Sequence, residues 1–224
     1  MRIYAMRIDE LSLPDVEKWS RDIVSARTNE KIERLKFKGD KKRTLVGELL
    51  ARYAMVLEKQ IPKTELIFDV HENGKPYCRS FPGVHFNISH SGLWVVCAVS
   101  DRPIGIDIEK IDVADMQIAK RFFTEYEYQY LQRQENKVEI FYKLWTLKES
   151  YIKCTGKGLT VPLNSFEFEF TDEIIDLKIP KTKEFYFKSK KVFGNYYLSL
   201  CCAEQYKSMN IKQITYEEIK DYLV

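Results

Sequence analysis

The stretch that most constrains this chain is Ile104–Lys110, which reads IGIDIEK. Isoleucine alternates with Gly, Asp and Glu at a period of two, which predicts a β-strand with one apolar face. Asp107 and Glu109 then lie on the same face, with their Cα atoms roughly 6.5 Å apart. Two like charges repel at that distance unless a cation lies between them, and carboxylate oxygens are suitable ligands for Mg²⁺. A solvated outer face is the alternative interpretation of the same pair.

The clearest amphipathic helix is predicted over residues 140–154, and Gly156 would end it. Its apolar stripe consists of Phe141, Leu144, Trp145 and Ile152. Lys148 falls within that stripe, which is an unusual place for an ammonium group without a partner. Glu149 and Lys153 are four residues apart and could simply form a helix-stabilising ion pair. Alternatively, Glu149 completes a three-carboxylate metal site with Asp107 and Glu109, and Lys153 neutralises a phosphate oxygen beside it.

Composition indicates a soluble globular protein, because 45% of the 224 residues are hydrophobic and 31% are charged. No apolar run approaches the length of a membrane span, and the first residues do not resemble a signal peptide. The five cysteines form no C-x-x-C pair. They are therefore expected to be small core residues in a reducing cytoplasm.

The net charge of +3 is unevenly spread along the chain. Between Arg27 and Arg43, eight basic residues stand against three acidic ones, a local excess of +5. This excess predicts a polyanionic partner, either a phosphate-rich small molecule or an acidic protein. A basic module that binds nucleic acid is an alternative, although no nucleic-acid motif accompanies the charge.

The order of the predicted elements indicates an α+β fold. Strands are expected at residues 1–8, 65–70, 84–89, 93–100, 103–109, 166–170, 184–189, 196–203 and 211–217. Short joints between the strands at 84–89, 93–100 and 103–109 favour antiparallel pairing. Helices are expected at 14–24, from Asp40 as N-cap to about residue 58, from Asp115 to 123, after a capping box formed by Thr124 and Glu127, at 140–154, and near the C-terminus.

We expect two similar α/β halves with antiparallel sheets packed side by side, and an active site at their junction. The predicted halves are residues 1–103 and 104–224, and a return of the C-terminal tail to the N-terminal half is left open.

His90 follows the predicted strand at 84–89 and lies between the hydroxyls of Ser89 and Ser91. A lone histidine is more often a packed or surface residue, so this signal is weak alone. Lys75 and Pro76 follow Gly74 in a tight basic turn. The chain contains no phosphate-binding P-loop, Rossmann fingerprint, nucleophile elbow or H-E-x-x-H pattern.

Four runs, taken in order and spacing, resemble the 4′-phosphopantetheinyl transferases of the surfactin-synthetase-activating type. They are GKP at 74–76, FNISHS at 86–91, GIDIE at 105–109 and WTLKESYIK at 145–153. The resemblance extends over essentially the whole chain, including RTL at 43–45 and FFT at 122–124, and the paired GIDIE and WxxKES motifs are highly specific.

This resemblance implies transfer of phosphopantetheine from coenzyme A to a serine of an apo carrier protein, with release of adenosine 3′,5′-bisphosphate. Asp107, Glu109 and Glu149 would hold Mg²⁺ on the pyrophosphate. Glu149, directly or through a water, would deprotonate the serine. The coenzyme contacts that the resemblance implies are Lys31 and Lys153 at the pyrophosphate, Arg43, Thr44 and His90 at the 3′-phosphate, and Lys75, Pro76 and Ser89 around the adenosine.

The resemblance also implies a monomer that docks a carrier protein or domain beside the metal site. Met116 and Phe122 are the candidates for that docking surface, with core packing as the alternative for Met116. The carrier could belong to nonribosomal peptide, polyketide or fatty-acid synthesis. One departure is Thr28, where the related enzyme has a lysine, so an expected phosphate contact is missing or comes from Arg27. Glu127 is either the capping-box carboxylate or a site residue.

One hypothesis of another class remains besides the nucleic-acid module: a protein that binds coenzyme A or another nucleotide without catalysis. The three clustered carboxylates argue against it, because anion binding gains nothing from nearby negative charge.

Overall fold

The structure is a computed structural model that describes residues 1–171, 174–180 and 182–223. The chain forms two compact units. The first comprises Met1–Asp101 together with Ser208–Val224, and the second comprises Arg102–Lys207.

Helices and strands alternate in groups through the described residues. The α-helices are α1 (Leu13–Asp22), α2 (Ala26–Arg34), α3 (Lys38–Lys59), α4 (Met116–Phe122), α5 (Glu125–Gln132), α6 (Lys137–Thr155) and α7 (Tyr216–Leu223). The strands are β1 (Arg2–Arg7), β2 (Phe68–Val70), β3 (Pro76–Cys78), β4 (His85–Ser91), β5 (Trp94–Ser100), β6 (Ile104–Lys110), β7 (Glu167–Thr171), β8 (Ile174–Ile179), β9 (Tyr186–Val192), β10 (Tyr196–Cys202) and β11 (Ile211–Gln213). The predicted α+β class is confirmed.

The first unit is built on a four-stranded sheet in the order β11-β1-β5-β4. The β1–β11 pair is parallel, whereas β1–β5 and β4–β5 are antiparallel. All seven residues of β5 are buried, as expected for a central strand of a covered sheet. Helix α3 packs on this sheet through a stripe that includes Leu45, Leu49 and Tyr53. A separate hairpin joins β2 to β3.

The prediction that Asp40 is the N-cap of α3 is wrong. The helix begins at Lys38 with Phe37 in the N-cap position, and Asp40 lies in the first turn. There its carboxylate accepts a 2.6 Å hydrogen bond from Arg43, one turn later. A carboxylate is favourable in a first turn as well as at a cap, because both positions face the positive end of the helix dipole.

The second unit contains the antiparallel sheet β6-β10-β9 and the hairpin β7–β8. Helix α6 packs along β6 and β10. Antiparallel pairing of the strand at 93–100 with the strand at 103–109 was predicted from their short joint, and that prediction is wrong. The partner of β6 is β10, because the joint at Asp101 and Arg102 is where one unit ends and the other begins.

Several predicted helix ends are confirmed by their capping geometry. Asp115 accepts from Gln117 at the start of α4, and Thr124 and Glu127 form a complete capping box at α5. Gly156 ends α6 in the left-handed conformation, with φ of 66°. The predicted strand at 211–217 is too long, because Thr215 and Glu218 exchange hydrogen bonds that start α7.

Candidate active site

Asp107 lies on β6 opposite Ser199 of β10, and only 2% of its surface is exposed. Glu109 lies two residues further along the same strand and is half-buried. A solvated outer face is therefore the wrong interpretation of Asp107. A buried carboxylate is retained only where positive charge or hydrogen bonds compensate its lost hydration.

Gly105 determines how closely β6 approaches α6. A Cβ atom added at Gly105 would lie 2.0 Å from the carbonyl oxygen of Ser150 and 2.3 Å from the backbone nitrogen of Cys154. Only glycine allows this backbone contact. Asp107 shares a strand face with Gly105, so the close approach brings its carboxylate to the helix turn that carries Glu149 and Lys153.

Lys153 forms the salt bridge that holds Asp107, with Nζ 2.6 Å from Oδ1. The lysine side chain is 28% exposed, so its ammonium group reaches the buried carboxylate from the edge of the packed core. Lys153, which was predicted to neutralise a phosphate oxygen beside the carboxylates, thus lies next to one of them, Asp107.

Glu149 is half-buried one helical turn before Lys153. Burial raises the pKa of the Glu149 carboxyl, the negative charge of Asp107 raises this pKa further, and Lys153 lowers it. Asp107 and Glu149 are therefore close enough to interact electrostatically. The charge of Glu109, on β6, contributes to the raised pKa of Tyr142 on α6, which is mainly due to burial.

The donor set partly fits a divalent metal ion. Carboxylate oxygens of Asp107 and Glu149 are the hard ligands that Mg²⁺ takes. Within residues 1–171, 174–180 and 182–223, however, no group of three or more His, Cys, Asp or Glu side chains is arranged to hold a metal ion. The structure thus brings Asp107 near Glu149, with Lys153 as the cation beside Asp107, and does not gather the three predicted carboxylates into one cluster.

Lys148 is fully buried, and its partner is Glu127, with Nζ 2.7 Å from Oε2 and neither side chain exposed. The ammonium group also donates 2.8 Å hydrogen bonds to the carbonyl oxygens of Leu163 and Phe166. Burial lowers the pKa of Lys148, and the charge of Glu127 opposes that shift. The second Glu127 oxygen accepts from the backbone of Phe168 at 2.9 Å. Both residues therefore have a structural role that explains them, and their partnership was not predicted from the sequence.

In the first unit, Arg43 reaches the turn that follows His90. Its Nη1 donates a 2.8 Å hydrogen bond to the carbonyl oxygen of Gly92. His90 is exposed near the end of β4, whereas Ser89 is buried. Thr44 follows Arg43 in α3 and is half-buried. The structure thus brings the predicted 3′-phosphate residue Arg43 to the end of the strand that carries His90.

Lys75 and Pro76 lie on the turn and second strand of the β2–β3 hairpin. Gly74 adopts φ of 84°, which a residue with a side chain rarely tolerates. The Lys75 backbone N–H donates to Asn73 at 3.1 Å, and its carbonyl accepts from His71 at 2.9 Å. Lys31, in the last turn of α2, is exposed. Within the described residues, no hydrogen bond or ion pair joins Lys31 to the hairpin.

Comparison with known proteins decides the family. The model of the 4′-phosphopantetheinyl transferase superfamily matches residues 103–201, and the model of the 4′-phosphopantetheinyl transferase N-terminal domain matches residues 13–102. A 4′-phosphopantetheinyl transferase from Bacillus subtilis is 40% identical over 98% of this chain and 100% of its own length.

The chain belongs to the 4′-phosphopantetheinyl transferase family.

Further relatives of this transferase have the same name. The 4′-phosphopantetheinyl transferase Sfp of Bacillus subtilis strain 168 is 38% identical, over 98% of this chain and 100% of its own length. Among solved structures, a holo-(acyl-carrier-protein) synthase from Bacillus anthracis is similar at 20% identity and a TM-score of 0.37, covering 45% of this chain and 93% of that chain. The predicted transferase function is confirmed, and family membership favours it over the two alternatives of binding without catalysis and nucleic-acid binding.

The two predicted docking residues of the transferase are half-buried. Met116 and Phe122 pack against a core cluster that includes Phe123 and Phe141, so both contribute to packing in the second unit. Val113 and Ile118 nearby are 90% and 37% exposed. Neither of these was predicted from the sequence, although both lie in the same segment.

None of the helices in the described part of the transferase combines the length and apolar character needed to cross a membrane.

Proposed function

We propose that this transferase moves 4′-phosphopantetheine from coenzyme A to a serine hydroxyl of an apo carrier protein and releases adenosine 3′,5′-bisphosphate. The observation that supports this reaction most directly is the buried Asp107 carboxylate, placed beside Glu149 and paired with Lys153. This arrangement combines a basic carboxylate, a second carboxylate and a cation, which phosphoryl transfer requires for proton removal and charge stabilisation.

Glu149 is the proposed base. Its raised pKa, caused by burial and by Asp107, makes it a stronger base than an ordinary glutamate. The serine oxygen bonds to the phosphorus that bears pantetheine, and the bond from that phosphorus to the leaving bisphosphate oxygen breaks. The serine proton passes to Glu149, directly or through a water, and the electron pair leaves with the bisphosphate.

Asp107 and Glu149, which interact electrostatically, would supply two carboxylate ligands for Mg²⁺ in the working enzyme. Glu109, which the described structure does not gather into one cluster with them, is proposed as the third. A bound Mg²⁺ would supply positive charge at the pyrophosphate oxygens, where negative charge develops. Lys153 would then contact two negative groups, because the ammonium group that pairs with Asp107 would also neutralise a phosphate oxygen of coenzyme A. The oxygen donor chemistry of the three side chains supports this assignment.

Residues of the first unit are proposed to bind the nucleotide. The local excess of +5 between Arg27 and Arg43 supports a ligand that carries several phosphates. The proposed contacts are Lys31 at the pyrophosphate, Arg43, Thr44 and His90 at the 3′-phosphate, and Lys75, Pro76 and Ser89 at the adenosine. Residues 1–103 would thus bind the nucleotide, and residues 104–224 would carry the carboxylates and the carrier docking surface.

The carrier protein is proposed to dock on the segment that carries Met116 and Phe122, to which we add the exposed Val113 and Ile118. Apolar side chains at 90% and 37% exposure support a surface for a partner. We further propose a cytoplasmic location, supported by five buried cysteines that form no disulfide, and a monomeric state, which the family resemblance implies.

The test incubates the wild-type protein with coenzyme A, Mg²⁺ and apo carriers from peptide, polyketide and fatty-acid synthesis, and measures carrier mass. We expect a gain of one phosphopantetheine on at least one carrier and equal release of adenosine 3′,5′-bisphosphate. Omission of Mg²⁺ with a chelator serves as the control for metal dependence. Coenzyme A binding without modification of any carrier would contradict the proposed reaction.

A further inference from the structure

The first unit contains a buried ion pair that the proposed chemistry does not use. Glu48 and Arg52 lie four residues apart on α3 and are 7% and 8% exposed. Arg52 donates from both Nε and Nη2 to Oε1 of Glu48, at 2.9 and 2.7 Å. Buried ion pairs contribute little net stability compared with apolar residues of the same size. Their geometry, in contrast, is restrictive, because the guanidinium fork fixes both partners.

Glu48 also holds the start of α2. Its Oε1 accepts from the backbone N–H of Ser25, and its Oε2 accepts from the Ser25 hydroxyl, both at 2.8 Å. Ser25 is the N-cap of α2, where its hydroxyl also accepts from the Thr28 N–H. Glu48 therefore fixes the N-terminus of the helix that carries Lys31, one of the proposed coenzyme contacts.

Arg52, the other member of the ion pair, contacts the β2–β3 hairpin and the residues just before it. Its Nη1 donates to the carbonyl oxygen of Leu66 at 3.4 Å, and its guanidinium carbon lies 4.8 Å from the centre of the Phe68 ring. Phe68 begins β2 and packs edge-on against Phe86 of β4, with ring centres 5.4 Å apart. The hairpin carries Lys75 and Pro76, and β4 carries Ser89 and His90.

Helix α3, which carries the ion pair, also carries proposed coenzyme contacts of its own. Thr44, Glu48 and Arg52 follow one another at four-residue spacing, so they share one face of the helix. The ion pair thus lies on the same helix face as a proposed 3′-phosphate contact. It is joined to the three other elements that carry proposed coenzyme contacts in this unit: α2, the β2–β3 hairpin and β4.

We propose that Glu48 and Arg52 are positioning residues for coenzyme A, fixing the relative placement of the elements that bind its nucleotide. This inference rests on the proposed function. It adds two residues that would affect coenzyme binding without contacting the coenzyme themselves. A displacement of about 1 Å in positioning elements can cost a large factor in rate or affinity. Disturbing the pair should therefore weaken coenzyme binding more than it changes the chemical step.

The primary variant is Arg52→Lys, which keeps the charge but cannot maintain the two-nitrogen fork to Glu48 together with the contacts to Leu66 and Phe68. We expect KM for coenzyme A to rise about fivefold or more, with kcat and the KM for carrier within about twofold of wild type. Phe68→Leu keeps the ion pair but removes the link to the hairpin, and it should change KM in the same direction. Glu217→Gln is the matched control, because Glu217 is 69% exposed and pairs only loosely with Lys220 at 3.7 Å.

Two further measurements separate the possible outcomes. The affinity for adenosine 3′,5′-bisphosphate, measured by calorimetry, should fall by the same factor as the rise in KM. Hydrogen exchange should become faster in α2 and in the β2–β3 hairpin of Arg52→Lys, but not in Glu217→Gln. A folded Arg52→Lys protein with unchanged KM and bisphosphate affinity would overturn the inference, as would a fall in kcat with KM unchanged.

Failure of the proposed function would be recognised separately. In that case the wild-type protein itself modifies no carrier, while hydrogen exchange still reports whether Arg52 fixes α2 and the hairpin. Unchanged exchange in both segments of Arg52→Lys would contradict the positioning role whether or not the protein transfers phosphopantetheine.

Discussion

The ammonium nitrogen of Lys153 lies 2.6 Å from Oδ1 of Asp107, a carboxylate that is only 2% exposed. The sequence predicted Mg²⁺ between Asp107 and Glu109 and placed Lys153 near a phosphate oxygen. In the structure the Lys153 side chain itself pairs with Asp107. The pair crosses from α6 to β6, so it joins the two most specific motifs of the chain.

The first prediction concerns the energy of this pair. Lys153→Met leaves a buried carboxylate without its ammonium partner, which should cost about 1–3 kcal/mol of unfolding free energy. The double variant Asp107→Asn with Lys153→Met should recover much of that loss, because both charges are then absent. Denaturant unfolding of the wild type, the two single variants and the double variant measures the coupling. If the losses of unfolding free energy in the two single variants simply add up in the double variant, the pair contributes nothing to stability.

The second prediction concerns Gly105. Gly105→Ala places a methyl group 2.0 Å from a backbone oxygen of α6, so either the strand or the helix must move. We expect a loss of about 1–3 kcal/mol or more, with transfer activity reduced in the protein that folds. Gly83→Ala is the control, because no atom lies within 4 Å of the Cβ position there. Equal melting temperatures for the two variants would contradict the close approach.

Some of these features were predictable from sequence and others were not. The period of two in Ile104–Lys110 and the helical stripe of α6 are local patterns, so both elements were predicted correctly. A glycine inside a strand signals close backbone approach. The role of Gly105 was therefore accessible from sequence, although it was not among the predictions.

Long-range partnerships were less accessible. Lys148 was recognised as out of place in an apolar stripe, but its partner Glu127 lies on another helix and became evident only from the packing. The pairing of β6 with β10 is likewise set by contacts far along the chain, whereas the short joint before β6 favoured the wrong neighbour. The start of α3 was misplaced because a carboxylate suits both an N-cap and a first turn, and Asp40 occupies the latter.

The third prediction concerns pH and Glu149. In the protein without metal, the pKa of Glu149 is raised above the ordinary glutamate value of 4.5, so Glu149 should take up a proton at a higher pH than an exposed carboxyl. Because Mg²⁺ binds the deprotonated carboxylate, the affinity for Mg²⁺ should fall as pH decreases through that raised pKa. Titration calorimetry of Mg²⁺ binding across this range measures the effect, and an affinity that stays constant down to the ordinary value would contradict it.

The same shift predicts the sign of a stability effect. A carboxyl with a raised folded pKa binds its proton more tightly in the folded state, so it favours folding at low pH and loses that contribution as pH rises. Compared with Glu149→Gln, the wild type should thus become relatively less stable as pH rises from about 4.5 through the folded pKa. Unfolding curves of both proteins across this range check the sign, and a difference that does not vary with pH would contradict it.

The fourth prediction concerns the 3′-phosphate. If Arg43 binds it, 3′-dephospho-coenzyme A should be a poorer substrate for the wild type by about tenfold or more, since a hydrogen bond to a charged group contributes about 1.5–3 kcal/mol. In Arg43→Met this preference should shrink clearly, although Thr44 and His90 remain to contact the phosphate. Comparison of kcat/KM for both forms in both proteins gives the coupling. If Arg43→Met retains the full preference, the phosphate contact lies elsewhere.

The most direct test of the central claim is the rate of carrier modification by Asp107→Asn and Glu149→Gln, measured beside their unfolding free energies. Glu149→Gln should be at least as stable as the wild type near neutral pH, because it removes a half-buried like-charge neighbour of Asp107. Asp107→Asn loses the Lys153 pair but also that repulsion, so its stability change should be small. Both should lose about 100-fold or more in kcat, as expected when a base or a charged group at the reacting atoms is removed. Near-normal turnover in either folded variant would contradict the assignment of these two carboxylates to the reaction.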